Sequence, residues 1–236
     1  MVSYYAERAC EYERIYQKPE RQADLRRLRS FVQTVFAGAD IFEVACGTGY
    51  WTEVVARRAA SVQATDINEE EVLAIARAKP VDARKVSFQR ADAYAPSAPR
   101  RFNAGLSAFW WSHVPKSRMR AFLRAFHGVL TPGARVVFMD NAYVEGSSTP
   151  ISRSDAQGNT YQLRRLDDGS AHEVLKNFPT EPEMRAAVEG LALDVQVEFL
   201  HYYWTLTYLL PRDAEPCNTE NQPGRELAIG SPATSV

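Results

Sequence analysis

The chain has 236 residues, 45% hydrophobic and 24% charged, with 28 Lys and Arg against 29 Asp and Glu for a net charge of -1. That is the composition of an ordinary soluble globule, which excludes disorder, collagen and coiled coil as descriptions of the whole. The balanced charge lacks the basic excess that gripping a phosphate backbone requires, so no nucleic-acid partner is expected.

In chain order, Tyr5, Ala9, Tyr12 and Tyr16 form an aromatic stripe that predicts a helix over 4–16. Pro19 starts a second helix, with Leu25, Leu28, Val32 and Phe36 on one face. ADIFEVA (39–45) is an apolar strand entering the glycines of CGTG, and a helix follows from about Trp51 to Arg58. SVQATDI (61–67) is a second strand, after which Asn68 and Glu71 are placed to cap a helix carrying Val72, Leu73 and Ile75. VSFQRAD (86–92) and FNAGLSAF (102–109) are the third and fourth strands. A helix after Pro115 carries Met119, Phe122, Leu123, Phe126 and Leu130, then Thr131-Pro132-Gly133 reads as a turn into the strand ARVVFMDN (134–141).

Strands alternating with helices at this spacing predict right-handed crossovers and a parallel sheet covered on both faces, an α/β fold. After Asn141 the alternation stops. NTYQLRRL, the turn DDGS and AHEVLK predict an antiparallel hairpin, Thr180 caps a helix over 180–190, and LDVQVEFL and YYWTLTYLL form two antiparallel strands. Residues 1–38 are expected to form a helical lid, 39–210 the main domain with a substrate-side insertion at 142–178, and 211–236 a flexible tail. The cysteines, Cys10, Cys46 and Cys217, are too few and scattered for a disulfide framework or zinc cluster. The N-terminus lacks the apolar core of a signal peptide, and no run approaches the roughly 20 apolar residues of a membrane span. A cytoplasmic protein with no membrane partner, monomeric or homodimeric, is expected.

The chemistry concentrates in Glu43-Val44-Ala45-Cys46-Gly47-Thr48-Gly49-Tyr50. A strand ending in an acid runs into a Gly-x-Gly turn that opens a helix, so backbone and helix N-terminus can approach a ligand closely. The Lys of a phosphate-binding Walker loop is missing, and Thr52 occupies the place of the third small residue of a dinucleotide fingerprint. Glu43 would repel a pyrophosphate but suits a ligand bearing an ammonium group. Asp66 ends the second strand, where a carboxylate can take both ribose hydroxyls, and Asp92-Ala93 ends the third, where an adenine amino group can be received. Three acids at successive strand ends match an adenosine carrying an amino acid.

EVACGTGYWT (43–52), ATDIN (64–68), RADAY (90–94), LSAFWWSHV (106–114) and LTPGARVVFMDN (130–141) together resemble the class I S-adenosylmethionine-dependent methyltransferases of small-molecule type. The resemblance implies a Rossmann-like three-layer αβα sandwich, with a mostly parallel seven-stranded sheet whose last strand is antiparallel. It implies S-adenosyl-L-methionine as cofactor, with the methionine moiety on Glu43 and the loop Ala45–Gly49, Ala45, Gly47 and Gly49 above all. Asp66 and Ile67 would hold the ribose, Asp92 and Ala93 the adenine. The segment Ser107–Trp111, with Ala108 and Trp110, would flank the methionine and face the acceptor, and Tyr5 and Tyr12 would close over the cofactor. Trp110 and Trp111 point to opposite faces if the strand continues, one toward the core and one toward the acceptor or the sulfonium.

His113, next to that site, is the candidate catalytic base, with packing of the following helix as the plainer reading. Tyr143, Tyr161 and Arg164 lie where such folds place substrate specificity, and Arg164 either grips an acidic acceptor or is solvated. Asp140-Asn141 resembles part of the magnesium set of catechol-type enzymes. Trp110-Trp111-Ser112 stands where a further Asp would be needed, so no metal is expected. The leading expectation is methyl transfer to a small-molecule acceptor. The alternatives are a methyltransferase acting on RNA or protein, and a catalytically inactive cofactor-binding partner subunit.

Overall fold

A computed structural model of the chain describes Arg8 and residues 12–212. Tyr5, the first turn of the expected N-terminal helix and residues 213–236 lie outside the described residues. Within them, Tyr12–Gln17 is a short 3-10 helix rather than the end of an α-helix, and Pro19–Arg21 is a further 3-10 turn, leading into helix α1 (Gln22–Val35). Leu25, Leu28, Val32 and Phe36 are all fully buried, as their spacing predicts.

Strands β1 (Asp40–Val44), β2 (Ser61–Asp66), β3 (Val86–Arg90), β4 (Phe102–Ala108) and β5 (Leu130–Asn141) pair in parallel. Helix α2 (Tyr50–Ala56) links β1 to β2, and α4 (Met119–Gly128) links β4 to β5. Between β2 and β3 the chain makes a π-helical turn (Glu69–Leu73) before the short α3 (Ala74–Arg77), and Asn68 caps nothing with its side chain. The expected Asn68–Glu71 cap is therefore not formed. Val72 and Leu73 still turn inward, so burial of the apolar face prevails over the local cap.

The insertion carries β6 (Arg153–Ser154), β7 (Thr160–Arg165) and β8 (Ala171–Leu175) in a separate antiparallel sheet. Helix α5 (Glu181–Val188) opens with a complete capping box between Thr180 and Glu183. Strands β9 (Leu193–Phe199) and β10 (Tyr203–Leu209) return to the main sheet, whose order is β3-β2-β1-β4-β5-β10-β9. β10 runs antiparallel to β5, which gives the expected seven-stranded sheet with its last strand reversed.

Alternation along the strands feeds two cores. Ile41, Val137 and Met139 pack with α1 and α2 on one face, while Phe42, Val44, Val136 and Phe138 pack with α4 and α5 on the other. Gly105 in β4 permits the second contact, because a Cβ there would lie 2.8 Å from the Phe126 ring and from Leu130. Thr131-Pro132-Gly133 is not a free turn but a bulge inside β5, since Phe102 pairs with Leu130 and Ala104 with Arg135. The chain switches direction in the sheet between β1 and β4, so a crevice opens at the carboxyl ends of these strands.

Candidate active site

That crevice holds a cavity of about 310 Å³ whose wall draws on the ends of four strands. Ala45 and Gly47 follow β1, Asp66, Ile67 and Asn68 end β2, Ala91 to Tyr94 follow β3, and Ala108 to Trp110 end β4. Of the cofactor residues expected from the sequence, Tyr12, Ala45, Gly47, Asp66, Ile67, Asp92, Ala93, Ala108 and Trp110 all line it. Thr48 and Phe109, from the segments 45–49 and 107–111 expected there, line it too, and so do Asn68, Val72 and Tyr94, which were not anticipated. Ala45 (φ 52°) and Phe109 (φ 62°) are both left-handed without being glycine. Such backbone is held at a cost of about 1–3 kcal/mol, and it occurs here on the cavity wall.

Gly49 and Glu43 lie elsewhere than expected. Gly49 (φ +78°) is the N-cap of α2, and a Cβ on it would come within 3.1 Å of Ala76, so its lack of a side chain serves helix packing. Glu43 is fully buried off the cavity wall, where Thr52 Oγ1 donates to its Oε2 at 2.6 Å and its Oε1 has no partner. Burial pushes the carboxyl up to about 8, despite the Thr52 bond and with help from the nearby Asp66. Glu43 therefore sits protonated beneath the glycine loop at neutral pH and does not present a charge to the cavity.

Because the Glu43 pKa is raised in the fold, its contribution to stability is complete below pH 4.5 and is lost as pH rises toward 8. Glu43→Gln keeps the shape of the neutral acid and removes the titration. Expected are a shallower fall in Tm between pH 6.5 and 8 and a cofactor affinity within about threefold of wild type, read by thermal melts and calorimetry. A loss of affinity well beyond that would return Glu43 to direct contact with the ligand.

Asp66 organises the loop above it. Gly47 N–H donates to its Oδ2 at 3.0 Å and Asn68 N–H to its Oδ1 at 3.0 Å. Burial raises its pKa and these backbone bonds oppose the rise. Asp92 takes the Tyr94 N–H at 2.9 Å. Across the mouth, Glu13 accepts from Thr48 Oγ1 at 2.7 Å and pairs with Lys79 at 2.6 Å, fastening the N-terminal turn to the glycine loop. Tyr16 stacks on Tyr50 at 4.0 Å and accepts from Trp51 Nε1 at 3.1 Å.

A second cavity, of about 300 Å³, lies between the N-terminal turn and the β6–β8 insertion. Tyr12, Phe109 and His113 line both cavities and form their common wall. His113 is buried, and its Nδ1 lies 2.7 Å from Leu175 O. A carbonyl only accepts, so Nδ1 carries the proton and the neutral ring keeps its lone pair on Nε2. Burial first, then the charge of Lys176, pushes the imidazole down to about 3. In this form the buried His113 ring is neutral near pH 7.

The acceptor residues separate similarly. Arg164 lines the second cavity. Trp111 does not. It is buried against Phe138 and Trp204, because Trp111–His113 leaves the strand as a 3-10 turn and ends the alternation. Tyr161 is engaged off the wall, its hydroxyl on Asp155 and its ring under Arg153. Tyr143 reaches the cavity only through Phe178, which it meets edge-on at 5.2 Å. Trp110 stays on the cofactor wall, with its Nε1 buried and unpartnered.

Asp140 is taken up by neighbours on both oxygens. Lys176 Nζ bonds Oδ1 at 2.7 Å, Asn141 N–H bonds the same oxygen, and Ser112 N–H bonds Oδ2 at 3.0 Å. Lys176, fully enclosed at the end of β8, also donates to Ser112 Oγ at 2.6 Å. The sequence had not singled out Lys176.

A Rossmann-like sheet with acids closing its second and third strands around a glycine turn defines a nucleoside-binding α/β protein. The comparisons narrow the class. The family model described as "Methyltransferase domain" matches residues 41–133. A ubiquinone biosynthesis O-methyltransferase from Azotobacter vinelandii is 31% identical over 189 residues, covering 76% of this chain and 75% of that protein. A demethylmenaquinone methyltransferase from Tropheryma whipplei is 29% identical over 157 residues, covering 66% of this chain, which spans 64% of that protein's length. Among solved structures, a DhpI–SAH complex superposes with a TM-score of 0.70 at 28% identity, covering 90% of this chain and 96% of that one. The chain belongs to the S-adenosylmethionine-dependent methyltransferases.

Proposed function

We propose that this chain transfers a methyl group from S-adenosylmethionine to a small-molecule acceptor. The observation that carries the reading is the meeting of two cavities at Tyr12, Phe109 and His113, one built on strand-end acids and the other on the insertion. The cofactor supplies a methyl group activated on a sulfonium, whose displacement depends chiefly on alignment of acceptor, carbon and sulfur. Holding reactants in line contributes on the order of 7–11 kcal/mol to such reactions.

The residues present fit the cofactor. Asp66 keeps lone pairs for ribose hydroxyls while it holds Gly47 and Asn68, and Asp92 and Ala93 offer the adenine edge. Tyr94, Phe109 and Trp110 supply aromatic surface beside a cationic sulfur. The N-terminal turn acts as the lid, with Glu13 as its fastening and Tyr12 facing both ligands. Phe109, held in strained backbone, and His113, fixed by Leu175, position the acceptor at the common wall.

A cavity of about 300 Å³ is the scale of a metabolite, and both curated relatives carry small-molecule names. No helix among the described residues is long and apolar enough to cross a membrane, and a cytoplasmic metabolic enzyme is the reading we favour. The test is incubation of purified protein with methyl-labelled cofactor and separate metabolite, RNA and protein fractions. Label is expected in the metabolite fraction. Transfer confined to RNA or protein, or cofactor binding without turnover in any fraction, would overturn the reading.

A further inference from the structure

The described wall of the second cavity is rich in cations. Its wall carries Arg8, Lys18, Arg21, Arg164, Arg165 and Lys176, and among the described residues it includes no Asp or Glu. Surface cations alone would mean little, but two of these are buried, Arg21 at 8% and Lys176 at 3% exposure. Among the described residues Arg21 makes its hydrogen bonds to neutral groups, Asn141 Oδ1, Ser147 O, Ser147 Oγ and the Tyr203 side chain, with its guanidinium over the rings of Tyr202 and Tyr203. Its Nε is buried and has no partner. Lys176 has one counter-charge, Asp140, and spends two of its three N–H groups on Asp140 and Ser112.

A buried cation without a counter-ion is expensive, and proteins retain such groups where something else supplies the opposite charge. His113 sits on the same wall and feels the same positive surroundings. Among the described residues the charged groups around His113 include Lys176, Asp140 and Arg164, two of these three cationic, so an anion entering the cavity would raise its basicity.

Resting on the proposed methyl transfer, we infer that the acceptor bears an oxyanion, a carboxylate or phosphate-type group, received in the second cavity by Arg21, Arg164 and Lys176. The planar guanidinium forks suit two oxygens of such a group, and the Lys176 ammonium adds a point charge. The cavity wall so described is the opposite of the apolar lining that a long prenyl tail would require. The anion would anchor the acceptor beside Tyr12, Phe109 and His113, where the two cavities meet.

The test uses the full chain loaded with S-adenosylhomocysteine, titrated calorimetrically with inorganic phosphate, with benzoate and with neutral benzamide. Saturable binding of phosphate or benzoate, at least tenfold tighter than benzamide, is expected, and the preferred anion tells the two chemistries apart. Arg21→Gln and the less buried Arg164→Gln should each weaken that anion at least fivefold, with S-adenosylhomocysteine affinity within threefold of wild type in any variant that folds. Equal affinity for benzoate and benzamide, or anion binding unchanged in Arg164→Gln, would overturn the inference while leaving methyl transfer standing. Failure to bind S-adenosylhomocysteine at all would remove both.

Discussion

Asp66→Ala is expected to weaken binding of S-adenosylmethionine and S-adenosylhomocysteine by about 10- to 100-fold or more. The carboxylate lies on the cofactor wall at the end of β2 and carries two loads at once. It takes the Gly47 and Asn68 N–H groups, which set the shape of the glycine loop and of the turn after β2. Each oxygen keeps a lone pair toward the cavity, and a hydrogen bond to a charged group contributes about 1.5–3 kcal/mol. Alanine removes the proposed ribose bonds and also leaves two backbone donors unpaired. Asp66→Asn is a sharper control. Its amide must set an NH2 against one of those two N–H groups, so it too should bind weakly although nearly isosteric. Calorimetry with S-adenosylhomocysteine decides the matter, and an affinity within twofold of wild type in Asp66→Ala would detach this residue from the cofactor.

The signal for Asp66 was legible because strand ends are local. An apolar run closing in an acid, repeated over the first three strands, tells which residues meet at one edge of a parallel sheet. Glu43 obeys the same pattern and yet stands off the wall, on the face of β1 that also buries Ile41. Whether the last residues of a strand look into the crevice or under the loop depends on pleat and loop path. The loop path here is set by the left-handed Ala45 and Gly47. Trp110 and Trp111 fail as an alternating pair for a related reason, since the chain coils into a 3-10 turn at Trp111. The acceptor side was less legible still. Arg164 was found from its place in the insertion, but Tyr161, its near neighbour in β7, is drawn away by Arg153 and Asp155. Lys176 meets Asp140 and Ser112 only after the hairpin folds back on the sheet, and no spacing in the sequence announces that contact.

The largest effect on stability is expected at that contact. Asp140→Ala should destabilise the fold by about 3–5 kcal/mol, because it strands the enclosed Lys176 ammonium without its counter-charge. At about 2–4 °C per kcal/mol for a chain of this size, Tm should fall by roughly 6–20 °C. The pair also ties three elements together. Asp140 ends β5, Lys176 follows β8, and Ser112 sits in the turn that presents His113, so the common wall of the two cavities should loosen with it.

A double variant, Asp140→Asn with Lys176→Met, removes both charges and should recover part of the lost stability, since a neutral filling of similar size avoids both desolvation penalties while the new amide sets an NH2 against one of the two backbone N–H groups that Asp140 accepts. The pH dependence gives an independent reading. Burial alone would raise Asp140, but Lys176, His113 and the backbone bonds hold it below the usual carboxylate range. Its stabilisation is therefore present above the ordinary Asp pKa and is lost as pH falls through the lower folded value. His113, held down to about 3, acts in the same direction between pH 6.5 and 3, where the unfolded chain takes a proton that the fold refuses. Glu43 acts in the opposite direction down to pH 4.5, so the wild type should lose stability on acidification most steeply below pH 4.5. The double variant should keep the His113 part of that slope and lose the part below pH 4. Melts that are superimposable for wild type and Asp140→Ala from pH 3 to 8 would show that the buried pair does not hold the insertion to the sheet.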